Sequence, residues 1–166
     1  METIGQGAFS GCSALEHVDD LYSLTRLEYD VFSHCVSLIS VDCSDKLTAI
    51  GSSAFFGCKA LVSIGDLSNV TSIESSVFRG CIALKSIGNM PKLESIGMQC
   101  FMGCTALETV GDLSSLKEIP SETFDGCTSL VSIGDLSNVT IIGSYGFNQC
   151  KKLTSIPNLG SLESVN

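Results

Sequence analysis

Apolar residues recur at every third position along most of the chain. In one stretch they stand at Leu61, Ile64, Leu67, Val70 and Ile73. That spacing fits neither an amphipathic helix, with its period of about 3.6, nor a half-buried strand, with its period of about 2. A chain that winds repeatedly around an apolar interior produces it, because each side of every coil must direct a side chain inward. The pattern therefore predicts a solenoid, and each turn of the chain around its interior is called a coil below.

The same pattern repeats with a strict period of 23 residues. Phenylalanine and cysteine both follow this interval, at Phe9, Phe32, Phe55, Phe78, Phe101, Phe124 and Phe147, and at Cys12, Cys35, Cys58, Cys81, Cys104, Cys127 and Cys150. A period of about 20 to 29 with this leucine spacing indicates a leucine-rich-repeat solenoid, in which stacked neighbours complete the core of each repeat. With coils about 4.8 Å apart, seven coils predict a short, curved rod roughly 30 to 35 Å long.

Local composition predicts the elements within one repeat. The stretches LVSIG (61–65) and VTSI (70–73) are rich in β-branched residues and predict strands on opposite sides of the coil, joined by a turn. The stretch SSAFFGC (52–58) predicts a single helical or 3₁₀ turn that places Phe55 in the core. The expected fold class is a right-handed repeat solenoid with short parallel strands and short helical or 3₁₀ turns. We expect one domain over residues 1–166, with about seven repeats, cut from a longer protein.

The repeat resembles a known family. IGSSAFFGCKALVSI (50–64), IGQGAFSGCSALEHV (4–18) and IPSETFDGCTSLVSI (119–133) are similar to the BspA-type leucine-rich repeat, I-G-x-x-A-F-x-G-C-x-x-L-x-x-[IV]. That repeat is found in surface proteins of host-associated bacteria and parasitic protists. The resemblance implies adhesion or another protein-binding role and a cell-surface or secreted location. A cytoplasmic scaffold is the alternative, because reducing compartments keep thiols unpaired.

Composition and charge narrow the function classes. The chain is 44% hydrophobic and 16% charged, which predicts extensive burial. A net charge of −9 with nine Lys and Arg disfavours nucleic acid as a partner. The apolar runs are too short for membrane insertion, and repeat sequence follows Met1 directly, so we expect no signal peptide in the chain as given. His17 and His34 occupy different phases of the repeat, so we predict no enzyme and no cofactor.

The cysteine column has three interpretations. Buried free thiols are favoured, because cysteine behaves as a small hydrophobe. Disulfides between neighbouring coils, about 5 Å apart, are within reach, but equivalent side chains point the same way and seven cannot pair off. A zinc site is the third, although only Cys100 and Cys104 have short spacing and no histidine is near them in sequence. No metal site is predicted.

A second polar column follows the first strand of each repeat. Its members are Asp20, Cys43, Asp66, Asn89, Asp112, Asp135 and Asn158. Asp and Asn at such a position favour Asx-turns, in which the side chain accepts a hydrogen bond from the backbone. The alternative is calcium held between neighbouring coils by oxygen ligands. Asn69 and Asn138 fit the N-glycosylation pattern, but both lie in a duplicated string, SIGDLSNVT, and repeat duplication accounts for them.

The outward residues of the first strand are the candidate partner-binding surface. One outward row varies in chemistry along the repeats, and the next is almost entirely hydroxyl. The candidates are Val62, Ser63, Lys85, Ser86, Glu108, Thr109, Val131 and Ser132. A merely solvated face explains the same residues. The predicted function is a non-catalytic protein–protein interaction module, an adhesin for host or matrix proteins if the family resemblance extends to function, and the alternative is a structural spacer or scaffold.

The two ends of the predicted solenoid carry no distinct polar repeat. Terminal repeats normally have a polar outer face, because an open end exposes apolar interior. We therefore expect end-to-end association of the isolated chain, or flanking repeats in a longer protein.

Overall fold

The chain folds into a solenoid with two columns of short parallel strands. The computed structural model describes residues 4–165, apart from the side chain of Asp20. The first column contains β1 (His17–Leu21), β3 (Ser40–Cys43), β5 (Ser63–Ile64), β7 (Ser86–Ile87), β9 (Thr109–Val110) and β11 (Ser132–Ile133). The second contains β2 (Arg26–Leu27), β4 (Ala49–Ile50), β6 (Ser72–Ile73), β8 (Ser95–Ile96), β10 (Glu118–Ile119), β12 (Ile141–Ile142) and β13 (Ser164–Val165).

The strand register follows the sequence period. Ser40 pairs with Ser63, and Ser72 pairs with Ser95, and the two members of each pair are one 23-residue repeat apart. The first column is divided into sheets β1-β3-β5 and β7-β9-β11, and the second into β2-β4-β6-β8 and β10-β12-β13. The predicted solenoid with short parallel strands is confirmed. The strands themselves are shorter than LVSIG and VTSI, because only two residues of most coils pair with a neighbour.

The third side of each coil is a tight turn, and the predicted helical or 3₁₀ turn is wrong. No helix is present within residues 4–165. In the stretch 52–58, Ser53 (φ 57°) and Gly57 (φ 70°) are left-handed, which interrupts any right-handed helix. The backbone N–H groups also alternate between two kinds of acceptor. Phe55 donates to Val77 of the next coil at 3.0 Å, whereas Phe56 donates to Ser53 within the turn at 3.0 Å.

Stacked phenylalanine rings form the centre of the core. The five rings from Phe32 to Phe124 are fully buried. Successive rings along the whole column, from Phe9 to Phe147, lie 5.2–5.6 Å apart between centroids, with interplanar angles of at most 17°. Six such steps agree with the expected length of roughly 30 to 35 Å. The predicted spine of rings is confirmed.

The three-residue apolar period is explained by the shape of the coil. Leu61, Leu67 and Ile73 are at most 2% exposed, and all three belong to the same core. Val62 and Ser63, which lie between inward positions, are both exposed. Each side of the coil therefore directs one residue in three inward and leaves the other two for the surface.

Candidate protein-binding surface

All eight residues predicted to bind a partner lie on one exposed face, which we call the strand face. The structure exposes every one of them: Val62, Ser63, Lys85, Ser86, Glu108, Thr109, Val131 and Ser132. Two rows therefore run along the solenoid, one residue per coil. Val62 and Val131 are 38% and 50% exposed, so this face presents apolar as well as polar groups.

Backbone hydrogen bonds hold the variable row of the strand face in place. The N–H of Lys85 donates to Val62 at 3.4 Å, that of Glu108 to Lys85 at 2.8 Å, and that of Val131 to Glu108 at 2.9 Å. The hydroxyl row is fixed by strand pairing, since Thr109 pairs with both Ser86 and Ser132. A rigid backbone with side chains that differ from coil to coil is suited to recognition, because the face loses little conformational entropy on binding.

Lys85 and Glu108 of the strand face form no ion pair with any residue that the structure describes. In the part of the chain that the structure describes, the ion pairs are those of Arg26 with Glu28 and Glu74. Arg26 lies on β2, and Glu28 and Glu74 each lie just after a strand of the second column. The hydrogen bond from Arg26, together with one from the Ser52 hydroxyl, lowers the pKa of the Glu74 carboxyl. Lys85 and Glu108 thus remain available to a partner of complementary charge.

The cysteine column consists of free thiols. The predicted burial is confirmed for five of its seven members, whereas Cys12 is exposed and Cys150 is only partly buried. All nine cysteines lie within the described residues and none forms a disulfide. The thiols do more than fill space. From Cys35 onward each member donates a hydrogen bond to the carbonyl oxygen of the phenylalanine 26 residues earlier, for example Cys81 to Phe55 at 3.1 Å. Each thiol therefore adds a second hydrogen bond to a carbonyl of the preceding coil, which already accepts one from a cysteine N–H of its own coil.

Burial makes every thiol except that of the exposed Cys12 unsuited to nucleophilic chemistry. It raises the pKa of Cys43 and of Cys58 to about 12, and the neighbouring Cys35 adds to the rise at Cys58. Burial also raises the pKa of Cys81 well above the usual range. A thiolate is the reactive form, so a neutral buried thiol is a poor nucleophile and a poor metal ligand. Among residues 4–165 no group of three or more His, Cys, Asp or Glu side chains is arranged to hold a metal ion.

Three aspartates of the second polar column, which follows the first strand of each repeat, form the expected Asx-turns. Asp66, Asp112 and Asp135 each accept a hydrogen bond at 2.8–2.9 Å from the backbone N–H two residues later. Asp135 also accepts one from Asn158 in the following coil at 3.1 Å. The carboxylates are thus already engaged in shaping the turn that follows the first strand. The Asx-turn prediction is confirmed at these three positions.

The two asparagines of the glycosylation pattern bridge neighbouring coils. The side-chain amide of Asn69 donates to the carbonyl of Asp45 at 2.8 Å, and that of Asn138 donates to Ser114 at 2.7 Å. A glycan is attached through this same amide nitrogen. The two side chains therefore have a structural role that accounts for their presence in the repeat.

Sequence reasoning missed a second surface feature, a groove on the turn side. Gly57, Gly80 and Gly103 form its floor, since they lie in line and carry no side chains. Gly57 belongs to the stretch SSAFFGC, for which only a helical or 3₁₀ turn was predicted. One sequence signal could have indicated the groove. The residue before each of these glycines varies between repeats, and it is large in three successive repeats: Phe56, Arg79 and Met102.

An apolar hollow opens at the C-terminal end of the described chain. It has a volume of about 430 Å³, and its lining includes Phe147, Ile156, Leu159 and Leu162. The apolar interior of a terminal coil is exposed in this way when no further coil is stacked on it. No described helix is long and apolar enough to cross a membrane.

Comparison with known proteins identifies the repeat. A model of the BspA type leucine rich repeat region matches residues 1–108 and 61–166, in six copies. The leucine-rich repeat protein of T. pallidum (TpLRR) is similar at 27% identity and a TM-score of 0.85, over 92% of this chain and 71% of its own. No curated protein matches the sequence.

Two further structures share the fold. A leucine rich cell surface protein from Faecalibacterium prausnitzii A2-165 is 35% identical with a TM-score of 0.65, over 72% of this chain and 31% of its own. The pneumococcal vaccine antigen PcpA is 20% identical with a TM-score of 0.59, over 76% of this chain and 29% of its own, which shows the fold alone. Leucine-rich repeats of this kind are typical of non-catalytic interaction modules. Because the repeat model matches the whole chain, the chain belongs to the BspA-type leucine-rich repeat family.

Proposed function

We propose that the chain is a non-catalytic protein-interaction module of a cell-surface protein, and that it binds an extracellular protein through the strand face. The observation that carries this proposal is the exposure of all eight predicted residues in two continuous rows on a hydrogen-bonded backbone. The similarity to a structure described as a leucine rich cell surface protein supports the location.

The chemistry of the face supports a protein as the partner. The variable row places apolar Val62 and Val131 on either side of the charged Lys85 and Glu108. Protein interfaces combine apolar contact with charge complementarity in this way, and complementarity contributes mainly to specificity and association rate. The adjacent hydroxyl row offers hydrogen bonds with no charge to desolvate. The face suits a folded partner with a broad contact surface.

A four-residue variant tests the assignment. Val62, Lys85, Glu108 and Val131 are all changed to Ser, and binding to immobilised fibronectin, laminin, fibrinogen and collagen is measured by biolayer interferometry. We expect at least one of these probes to bind the wild type and to bind the variant at least tenfold more weakly. Such a loss corresponds to about 1.4 kcal/mol, well within the contribution of four interface residues.

The matched control carries four serines elsewhere. It replaces Glu94, Met98, Lys117 and Tyr145, which are also exposed and also comprise one acid, one lysine and two apolar or aromatic residues. We expect it to bind as the wild type does. Binding to none of the four probes, or an equal loss in the control, would contradict the proposal and favour a structural spacer.

A further inference from the structure

The groove on the turn side forms because successive repeats have glycine at one left-handed position of the turn, which His34 occupies in the second repeat. The floor residues Gly57, Gly80 and Gly103 have φ of 70–75°, a left-handed conformation that glycine adopts without penalty. Because the three stacked residues are glycines, this column has no side chains on the surface, whereas the residue columns on both sides of it have side chains. A channel of about 430 Å³ results. We call it the glycine-floored groove.

The walls of the glycine-floored groove are largely apolar. Phe56 and Met102 lie along one side, and Val36 and Ile82 lie along the other. Val36 is 38% and Ile82 47% exposed, so apolar surface faces solvent here. At the position equivalent to the floor glycine, the second repeat has His34, whose ring meets that of Phe56 edge-on at 5.0 Å. This imidazole closes one end of the groove.

The charge of the groove is opposite to that of the chain. Its lining contains Lys59 and Arg79 and no acidic residue, although the chain carries a net charge of −9. The Arg79 guanidinium lies 5.8 Å from the centre of the Phe56 ring and donates to the Gln99 side chain at 2.8 Å. Neither cation has a carboxylate within ion-pair distance among the residues that the structure describes. Asp125, in the wall column two coils after Arg79, is hydrogen-bonded to Asn148, and Gln99 in turn donates to Glu122 at 2.8 Å.

We propose that the glycine-floored groove binds an extended peptide segment that carries carboxylates beside apolar or aromatic side chains. Apolar side chains would cover the glycine floor between Phe56 and Ile82, and carboxylates would meet Lys59 and Arg79. From Gly57 to Gly103 the open floor of the groove spans two coil steps of 5.2–5.4 Å. An extended peptide rises about 3.3 Å per residue, so about three of its residues lie on the floor. Charge complementarity selects this occupant over a basic or neutral segment.

The groove is separate from the strand face, and this proposal does not rest on the proposed function. Calorimetric titration of the folded chain uses the blocked peptide Glu-Phe-Asp-Leu-Glu as the probe. Its uncharged counterpart, Gln-Phe-Asn-Leu-Gln, has nearly the same shape and tests the charge. We expect saturable binding of the acidic peptide, at least tenfold weaker binding of the uncharged one, and a loss of affinity as salt is raised.

Two pairs of charge reversals locate the site. Lys59→Glu with Arg79→Glu is expected to weaken acidic-peptide binding at least tenfold. Lys117→Glu with Lys151→Glu changes the net charge equally at exposed positions outside the groove and is expected to change affinity less than twofold. If the double variant unfolds at a lower temperature than the wild type, Lys59→Glu alone replaces it in the binding test, because Lys59 is exposed.

Three results would overturn the proposal: no saturable binding at millimolar peptide, equal affinity for the two peptides, or equal losses in the two double variants. The strand-face variant with four serines is expected to bind the acidic peptide as the wild type does. Failure of the peptide experiment therefore leaves the strand-face assignment untouched, and failure of the matrix-protein experiment leaves the groove untouched.

Discussion

The middle coils and the first coil share one sequence pattern but differ in how well they are buried. Phe78 and Cys81 are fully buried, whereas Phe9 is 37% exposed and Cys12 is exposed. Among residues 4–165, the ring of Phe9 has a stacking partner on one side only, Phe32 at 5.5 Å. The same residue at the same position in the repeat is thus core in one place and surface in another. Burial in this molecule is a property of neighbouring coils and not of a repeat by itself.

The largest expected effect is the loss of a central ring. Phe78→Ala removes a fully buried side chain stacked on both sides and is expected to destabilise the chain by roughly 3 to 5 kcal/mol. Phe9→Ala is expected to cost less than half as much, because Phe9 is partly solvated and stacked on one side. Thermal and urea unfolding measure both variants. Equal losses would show that the end coil is as well packed as the middle.

The buried thiols predict a loss of stability at alkaline pH. Burial raises the pKa of Cys58 to about 12 from a value of 9.0 for a free thiol. Between these values the unfolded chain releases a proton that the folded chain retains, so stability is complete below about pH 9 and falls as pH rises. Each such thiol removes about 1.4 kcal/mol per pH unit in this window.

Cysteine variants test whether thiols of the middle coils are more deeply buried than those at the end. Urea unfolding from pH 8 to 11 under reducing conditions is expected to show a shallower fall in stability for Cys58→Ala than for the wild type. Burial raises the pKa of Cys150, near the C-terminal end, to about 11, so its contribution ends about one pH unit lower. Parallel stability curves for wild type and Cys58→Ala would contradict the burial of the thiol.

A smaller effect is expected at the floor glycine. Gly80 has φ 75°, and an added Cβ would be 3.8 Å from its nearest neighbour, so there is room for it. Gly80→Ala is therefore expected to cost about 1 kcal/mol through backbone strain alone. Gly88→Ala is the control, since Gly88 is not left-handed and has open space around it. An equal change in the two variants, measured by urea unfolding, would show that the left-handed turn is not required.

The period of the sequence was enough to predict the core and the outward face. Phe55 and Phe78 had to stack if repeats of equal length coil in register, and Val62 had to face outward between inward positions. The turn geometry was not predictable in the same way. Its first left-handed position holds Ser53, Glu122 and Tyr145 in different coils, side chains with no shared turn preference. Hydrogen bonds to the next coil impose the left-handed conformation at this position. The composition of a single repeat does not indicate these hydrogen bonds.

The groove and the thiol hydrogen bonds were missed for a related reason. Both arise between coils: Gly57 and Gly80 form a floor only when they are stacked, and Cys81 meets a carbonyl that lies 26 residues earlier in the chain. A repeat motif shows which positions are constant. The distance between constant positions of neighbouring coils depends on how the coils are stacked.

A double-mutant cycle on the ring column tests the stacking of the coils most directly. The rings of Phe55 and Phe78 are 5.4 Å apart and parallel within 1°. Replacing each and both by leucine, and measuring the free energy of unfolding, is expected to give a coupling energy of about 0.5 to 1.5 kcal/mol. Phe32 and Phe124, separated by three intervening rings, are expected to be additive within about 0.5 kcal/mol. Additive effects at Phe55 and Phe78, or equal coupling in the distant pair, would contradict the continuous stack.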